Sequence, residues 1–293
     1  MYQPAHLAAL VAVVDHGTFD RAATALHVTP SAVSQRIRAL ETQVGQVLVT
    51  RAAPCRATPA GDVLVGLGRQ TALLADEAVL RLGGPAGVRR AAVAVNADTL
   101  ATWFHDVLDV VAGWDEVALE IHVEDQGRST RLLREGRVLG AVTSDDQPVQ
   151  GCTVQRLGGL RYHPVATRSL LERHGGVAAP DFERLPLVRF NEVDALQHDW
   201  LAGRAGPEVV PRVVHRVPTT ADMGEAVVRG LGWGMLLDTQ LEAVTERVRA
   251  GELVALAPGR PLVVPLFWQR WRLRSELLDR LGDAVLAAAP GDP

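Results

Sequence analysis

Apolar residues recur at i, i+3, i+4 and i+7 in Leu7, Leu10, Val11 and Val14, which gathers them on one face of a helix that Gly17 ends. Phe19, Ala22, Ala23 and Leu26 repeat the spacing behind Thr18, a capping residue, and Asp20 sits where negative charge complements the helix dipole. A third helix is predicted from Thr29-Pro30, a cap followed by proline at the first helical position, with Val33, Ile37, Leu40 and Val44 facing inward. Three short helices with a tight connection over 27–29 between the second and third make a helix-turn-helix pattern. VLVTR (47–51) and RAT (56–58) then read as two short strands around Ala52-Ala53-Pro54, a wing with Arg51 and Arg56 at its base.

Thr58-Pro59 starts a longer helix in which Leu64, Leu67, Thr71, Leu74, Ala78 and Arg81 alternate three and four apart. Such a seam predicts pairing with the same helix of a second copy, a homodimer; the alternative is a helix packed on its own domain. LGGPAGVRR (82–90) is rich in Gly and Pro and reads as a hinge. Beyond it, AAVAVN (91–96) is a buried strand and NADTLATWFHDVLDVV a helix with Leu100, Trp103, Phe104, Val107, Leu108 and Val111 on its apolar face. VALEIHVED, VLGAVTS, LRYHPVATR, LPLVRF, RVVHRVP, GLGWGMLLD and PLFWQRWRL read as strands, with RSTRLLREG, TTADMGEAVVRG and SELLDRLGDAVLAAA as helices between and after them. The alternation predicts a mostly parallel α/β sheet.

Charge changes this picture at one end. All 30 basic residues are arginine, which by itself says little. Residues 1–58 hold five arginines against three acids, a net of +2, which leaves −6 on the rest of a chain of net charge −4. A small basic unit on an acidic body suits contact with nucleic acid at that end. No apolar run reaches the ~20 residues of a membrane span and no basic leader precedes an apolar stretch, so a cytoplasmic protein without membrane contact is expected. Cys55 and Cys152 have no metal or disulfide spacing, so plain thiols are expected.

With Val33 and Ile37 turned inward, Ser31, Ser34, Gln35 and Arg38 share the opposite helix face. Ser and Gln can bond base edges, Arg can take guanine or phosphate, and a helix start favours phosphate; a merely solvated face is the alternative. The candidate set for double-stranded DNA is Thr29, Ser31, Ser34, Gln35, Arg36, Arg38, Arg51 and Arg56. A second set lies beyond the carboxyl ends of the predicted strands, where open α/β sheets bind ligands. It comprises Asn96, Asp98 and Thr99, then Glu124 and Asp125, then Thr143 and Ser144, with Thr219 and Thr220 at the start of a helix. Its acids could pair with a cationic ligand, or could simply cap helices and turns, as Asp125 before Gln126-Gly127 suggests. Trp103 and Trp233 could wall a slot for a methylene chain or belong to the core. The glycines of GLGWG suit a tight turn or close backbone approach rather than a phosphate loop.

No GxSxG, HExxH or P-loop is present and the nine histidines are scattered, so no catalytic residue, metal site or cofactor is nominated. A two-lobed enzyme or a pure ligand-binding protein would leave residues 18–58 unexplained.

The combination of FDRAATALHVTPSAVSQRIRALETQVG, VLVTR and TPAG resembles the LysR-type transcriptional regulators over roughly the first 80 residues. NADTLATWF, VEDQGRSTRLLREG, LGAVTS, GLGWGMLLDTQ and WQRWRL extend the likeness over nearly the whole chain to the ArgP/LysG branch, which senses basic amino acids and activates their export. The resemblance implies an N-terminal winged helix-turn-helix (1–58), a linker dimerisation helix (59–82), a hinge (83–90) and an α/β effector domain (91–293) of periplasmic-binding-protein type. Lobe I would hold about 91–162 and 267–293, and lobe II about 163–266. It further implies that Ser31 to Arg38 enter the major groove, that linker helices pair two subunits, and that dimers assemble into tetramers on dyad half-sites. RNA polymerase is a possible further partner. Asn96, Asp98, Thr99, Trp103, Glu124 and Thr143 become first-lobe effector candidates, joined by Thr219, Thr220 and Trp233 of the second. Lysine or arginine is the implied effector, with aromatic acids as the rival class. The chain departs from the branch at Asp238, where proline is usual after GMLL.

Overall fold

The computed structural model describes residues 1–84, 87–124 and 129–291. Three helices open the chain: α1 (Pro4–His16), α2 (Phe19–Ala25) and α3 (Pro30–Val44). Thr18 and Thr29 accept from the amides of Arg21 and Ala32 at 3.2 Å, so each cap satisfies a donor that the helix cannot. Gly17 and Gly45 end α1 and α3 at φ of +72° and +74°, a backbone state that costs glycine nothing. The wing is the antiparallel pair β1 (Val49–Thr50) and β2 (Arg56–Ala57), with Val49 opposite Ala57. Leu7, Leu10, Val13, Ala22, Ala23, Val33, Ile37 and Leu40 form the head's core.

Helix α4 (Pro59–Arg81) is 23 residues long, about 35 Å at the usual rise, and its sides do different things. Leu64 and Val65 enter the head's core beside α1. Leu73 joins the core of the effector domain, and Glu77 is buried against it. Val63, Leu67 and Leu74 are 68, 38 and 41 % exposed, with Ala78 exposed and Thr71 half-buried. The expected seam is therefore corrected at one place. Leu64 is 5 % exposed inside its own chain, because the start of α4 lies on α1 and a helix turns each residue 100° from the last; the free stripe begins at Val63.

The α/β region begins with β3 (Arg89–Val95), α5 (Ala97–Leu100), α6 (Phe104–Val111), β4 (Val117–Val123), α7 (Ser129–Arg134) and β5 (Gly140–Thr143). The single helix expected over 96–111 is broken. The Thr102 hydroxyl donates to the Asp98 carbonyl at 2.6 Å, a side-chain bond that competes with the helical ladder, and α6 restarts at Phe104. The 16-residue β6 (Cys152–Thr167) then passes into the second lobe, made of α8 (Arg168–Arg173), β7 (Leu187–Arg189), α9 (Leu196–Ala205), β8 (Val214–Arg216), α10 (Thr220–Val228), β9 (Gly234–Leu237), α11 (Asp238–Ala243), α12 (Thr245–Arg249) and β10 (Leu253–Ala255). β11 (Leu262–Trp271) returns to the first, which α13 (Glu276–Ala288) closes.

One sheet runs β10-β6-β11-β5-β3-β4, with β9 also on β6. Among the described strands, β3 with β4 and β5, and β7 with β8, pair in parallel; β6, β9, β10 and β11 pair antiparallel. The mostly parallel sheet expected from alternation is thus mixed, because the two long crossing strands run against their neighbours in both lobes. The hinge residues Pro85 and Ala86, and Asp125 with the turn at 126–127, lie outside the described residues. Among the described residues no helix is long and apolar enough to cross a membrane, and both cysteines are free and buried. Burial pushes the Cys152 thiol up to about 11.

Candidate functional site

The face of α3 away from the core presents Ser31, Gln35 and Arg38 exposed, with Ser34 and Arg36 half-buried at its edges. The turn before it is tight enough to hold His27 at φ +52°. Thr29 is committed to the helix start, since its hydroxyl accepts from Ala32 and lies 2.9 Å from the Ser31 hydroxyl. Arg51 is exposed at the wing with its guanidinium 5.5 Å from the centre of the Phe19 ring. Arg56, also exposed, lines a cavity between head and effector domain. Fixed donors on one helix start, flanked by an arginine stacked on the wing side, suit a phosphate backbone with base edges between.

The second set meets where the lobes touch. Asp98, in the first turn of α5, accepts from the Tyr162 hydroxyl at 2.6 Å on one oxygen and from the Thr220 hydroxyl at 2.7 Å on the other. Tyr162 is on β6 as it crosses between lobes and Thr220 opens α10, so this carboxylate ties lobe I to lobe II. Among the described residues no arginine or histidine pairs with it. A carboxylate offers about four lone-pair directions, and two hydroxyls use half of them. The side-chain oxygen of Asn96 caps α5 by accepting from the Thr99 amide at 2.7 Å. Its Nδ2, the Thr99 hydroxyl and the Ser129 hydroxyl at the start of α7 are buried without hydrogen-bond partners among the described residues. Buried polar groups of that kind are costly unless something else bonds them, which is a property of ligand sites.

Other nominated residues have different employment. Thr219 caps α10, accepting from the Asp222 amide at 3.2 Å and donating to its carboxylate at 2.5 Å. Thr143 is fully buried and accepts from the Asp145 amide at 3.1 Å in the turn after β5. Glu124 follows β4, bonded through its amide to the Val95 carbonyl at 3.0 Å, with its side chain half-exposed. Trp103 is half-buried with its ring edge on Phe104 and its Nε1 without a partner among the described residues. Trp233 is corrected: it is fully buried among Phe182 and Trp200, at ring distances of 5.8 and 5.3 Å, so it builds lobe II rather than a slot. The glycines beside it allow this, since a Cβ on Gly232 would stand 2.7 Å from the Pro186 carbonyl. Asp238 faces away from this junction, bonded to His163 at 2.5 Å and Arg161 at 2.8 Å.

Sequence reasoning missed Tyr162 and Ser129. The signal for Tyr162 was present in LRYHPVATR, because a tyrosine inside an apolar strand needs a partner for its hydroxyl.

Comparison with known proteins places the two regions in matching families. The family described as "Bacterial regulatory helix-turn-helix protein, lysR family" matches residues 4–62, and "LysR substrate binding domain" matches 82–290. The chain is 48 % identical over 289 residues to the HTH-type transcriptional regulator LysG of Mycobacterium tuberculosis, covering 97 % of this chain and 93 % of that one. It is 47 % identical over 286 residues to the lysine export transcriptional regulatory protein LysG of Corynebacterium efficiens, covering 98 % and 97 %. Full-length LysG from Corynebacterium glutamicum with bound effector Arg superposes with a TM-score of 0.84 at 42 % identity, over 99 % of this chain and 100 % of that one. The helix-turn-helix head and the two-lobed domain are both matched, and the chain belongs to the LysR family of DNA-binding transcriptional regulators, which are not enzymes.

Proposed function

We propose that this protein senses a basic amino acid, arginine or lysine, and activates the gene of an amino acid exporter. The carrying observation is Asp98, a carboxylate at the lobe junction that is held by two neutral hydroxyls. A guanidinium or ammonium group would find spare acceptor directions there, while Asn96, Thr99 and Ser129 offer polar atoms to the rest of an amino acid. The Arg in the related C. glutamicum structure and the lysine-export name of the C. efficiens relative support the same reading.

Thermal unfolding against arginine, lysine, neutral amino acids and aromatic acids tests it. Ligand at about 100 times its Kd stabilises the native state by roughly 2.7 kcal/mol, a visible shift in midpoint. A shift confined to basic amino acids is expected; a response to aromatic acids alone would replace the effector class. Activation is tested separately, by a reporter fused to the exporter promoter with and without arginine.

In this reading the regulator works in the cytoplasm on double-stranded DNA. α3 enters the major groove, with Arg51 of the wing on phosphate, while Arg56 faces the cavity toward the effector domain. Arg38→Ala is expected to weaken operator binding by about 1–3 kcal/mol, roughly 5- to 150-fold, and to relax preference at one base position. Operator affinity measured by fluorescence anisotropy on matched and single-base variants would show this; an unchanged affinity would remove Arg38 from the interface.

The outward stripe of exposed Val63, Leu67, Leu74 and Ala78 with half-buried Thr71 is the dimerisation face, pairing linker helices so that two heads meet two half-sites. Leu67→Glu with Leu74→Glu should weaken dimerisation at least about tenfold, since charge would enter an apolar seam. Sedimentation velocity over a concentration series checks this, and an unaltered dimer would place the interface elsewhere. Tetramers on DNA and a contact with RNA polymerase complete the proposed assembly. Effector acts by preferring one placement of the heads, because equal affinity for both would shift nothing.

A further inference from the structure

The side of α4 that faces its own effector domain carries Gly66, Arg69, Leu73 and Glu77, three and four residues apart. Its far end is a dry anchor. Leu73 lies in the effector-domain core, and Glu77 accepts from the Ser275 hydroxyl at 2.7 Å and the Leu277 amide at 3.3 Å at the start of α13. Its near end is different. Arg69 pairs with Asp15 on α1 and donates to the Glu135 carbonyl, 3.4 Å away, just past the end of α7. Beside it, Gly136 at φ +64° lies so close to Gly66 that a Cβ there would collide with the Gly66 backbone. Around this contact a cavity of about 1190 Å³ separates the head from lobe I, lined on one side by Asp15, Arg56 and Asp62 and on the other by His122, Arg131 and Arg137.

We propose that Arg69 is a positioning residue, a releasable latch through which α7 sets the placement of the DNA-binding head. Three observations carry this. Arg69 touches the head and lobe I at once. Its contacts border a polar cavity, where water can replace them at small cost, whereas those of Glu77 are buried; the head therefore pivots about the Glu77 end and is held or freed at Arg69. Finally, α7 is six residues, about 9 Å, between Ser129 at the carboxyl-end rim of the sheet and Glu135 at the latch. A shift of this short, core-packed rod at one end is delivered at the other, because close-packed elements move as units. The latch rests on the proposed effector reading only for where the signal begins.

The test measures the head-to-lobe distance in full-length protein by double electron–electron resonance. Spin labels go on Thr42→Cys of α3 and Asp109→Cys of α6, with Cys55 and Cys152 changed to alanine and labelled chain diluted in unlabelled chain. The expected result is one narrow distance in the parent that moves on adding arginine. In Arg69→Ala the distribution is roughly twofold broader or already displaced without ligand, while calorimetric affinity for arginine changes only a few-fold. Gly66→Leu, a wedge at the same contact, should act alike. Gly66→Ala, whose Cβ stands 3.8 Å from its neighbours, should not, and it controls for folding. Parent-like distributions in both Arg69→Ala and Gly66→Leu overturn the latch. Broadening in both, with a parent that ignores arginine, upholds the latch and overturns the effector assignment instead.

Discussion

Glu77→Ala is expected to lower the stability of the effector domain by about 3–5 kcal/mol, the cost of removing one partner from a buried charge pair. Glu77 is buried on α4, yet its bonds are to the first turn of α13, where Ser275 and the Leu277 amide donate to one of its oxygens. Arg89, buried at the start of β3, stands 3.8 Å from the same oxygen. Without Glu77, Arg89 keeps among the described residues only Glu116, at 3.2 Å, which Arg280 already shares at 2.7 Å. The Arg280 guanidinium, with the hydrogen bond from Arg89 beside it, holds the Glu116 carboxyl below its usual range, so one carboxylate would have to serve both cations. Glu77→Gln keeps an acceptor for Ser275 and Leu277 and should cost less than alanine. Urea unfolding followed by tryptophan fluorescence reads both, Trp268 and Trp271 being buried in the domain concerned. An alanine variant within about 1 kcal/mol of the parent would mean that the linker is not clamped at this end, and the pivot argued above would fail with it.

Asp98→Asn is expected to weaken arginine binding by about 2–5 kcal/mol, roughly 30- to 5000-fold, while a neutral amino acid loses less than about tenfold. The substitution keeps size and one acceptor oxygen, so the bond from either Tyr162 or Thr220 survives, but it removes the charge that distinguishes a cationic ligand from a neutral one. The structural cost of the lost hydroxyl bond should be near 1 kcal/mol. Isothermal titration with arginine and with a neutral amino acid of similar length separates the two roles. Equal losses would make Asp98 a tie between lobes and nothing more, and the effector would then be held elsewhere.

Local chemistry was enough for the head. Caps at Thr18, Thr29 and Thr58 and apolar spacing at 3.6 residues act within one or two turns, so α1, α2, α3 and the start of α4 were legible from neighbouring residues alone. The free face of α3 followed by subtraction from its buried face. Half of the lobe junction was legible for the same reason. Asn96 and Asp98 stand where a strand ends and a helix begins, and their types suit that place whatever surrounds them.

What remained illegible depends on partners far along the chain. Tyr162 and Thr220 reach Asp98 from 64 and 122 positions away, and no spacing rule records such a meeting. Leu64 shows the same limit on a helix. Its spacing fits a seam for a second copy as well as it fits a groove on α1, and only the packing of α1 on α4 assigns it to the core and leaves Val63 exposed beside it. Trp233 has a sequence context equal to that of a pocket wall, and the ring cluster of Phe182 and Trp200 decides otherwise. The sequence by itself determined the helix-turn-helix head, the long linker, the α/β character of the rest and the acidic strand ends, because each arises from interactions between residues a few places apart. Only the tertiary structure decided which face of α4 is free, which hydroxyls hold Asp98 and where the linker is anchored and latched, because burial is shared between distant segments and each segment alone satisfies several arrangements equally well.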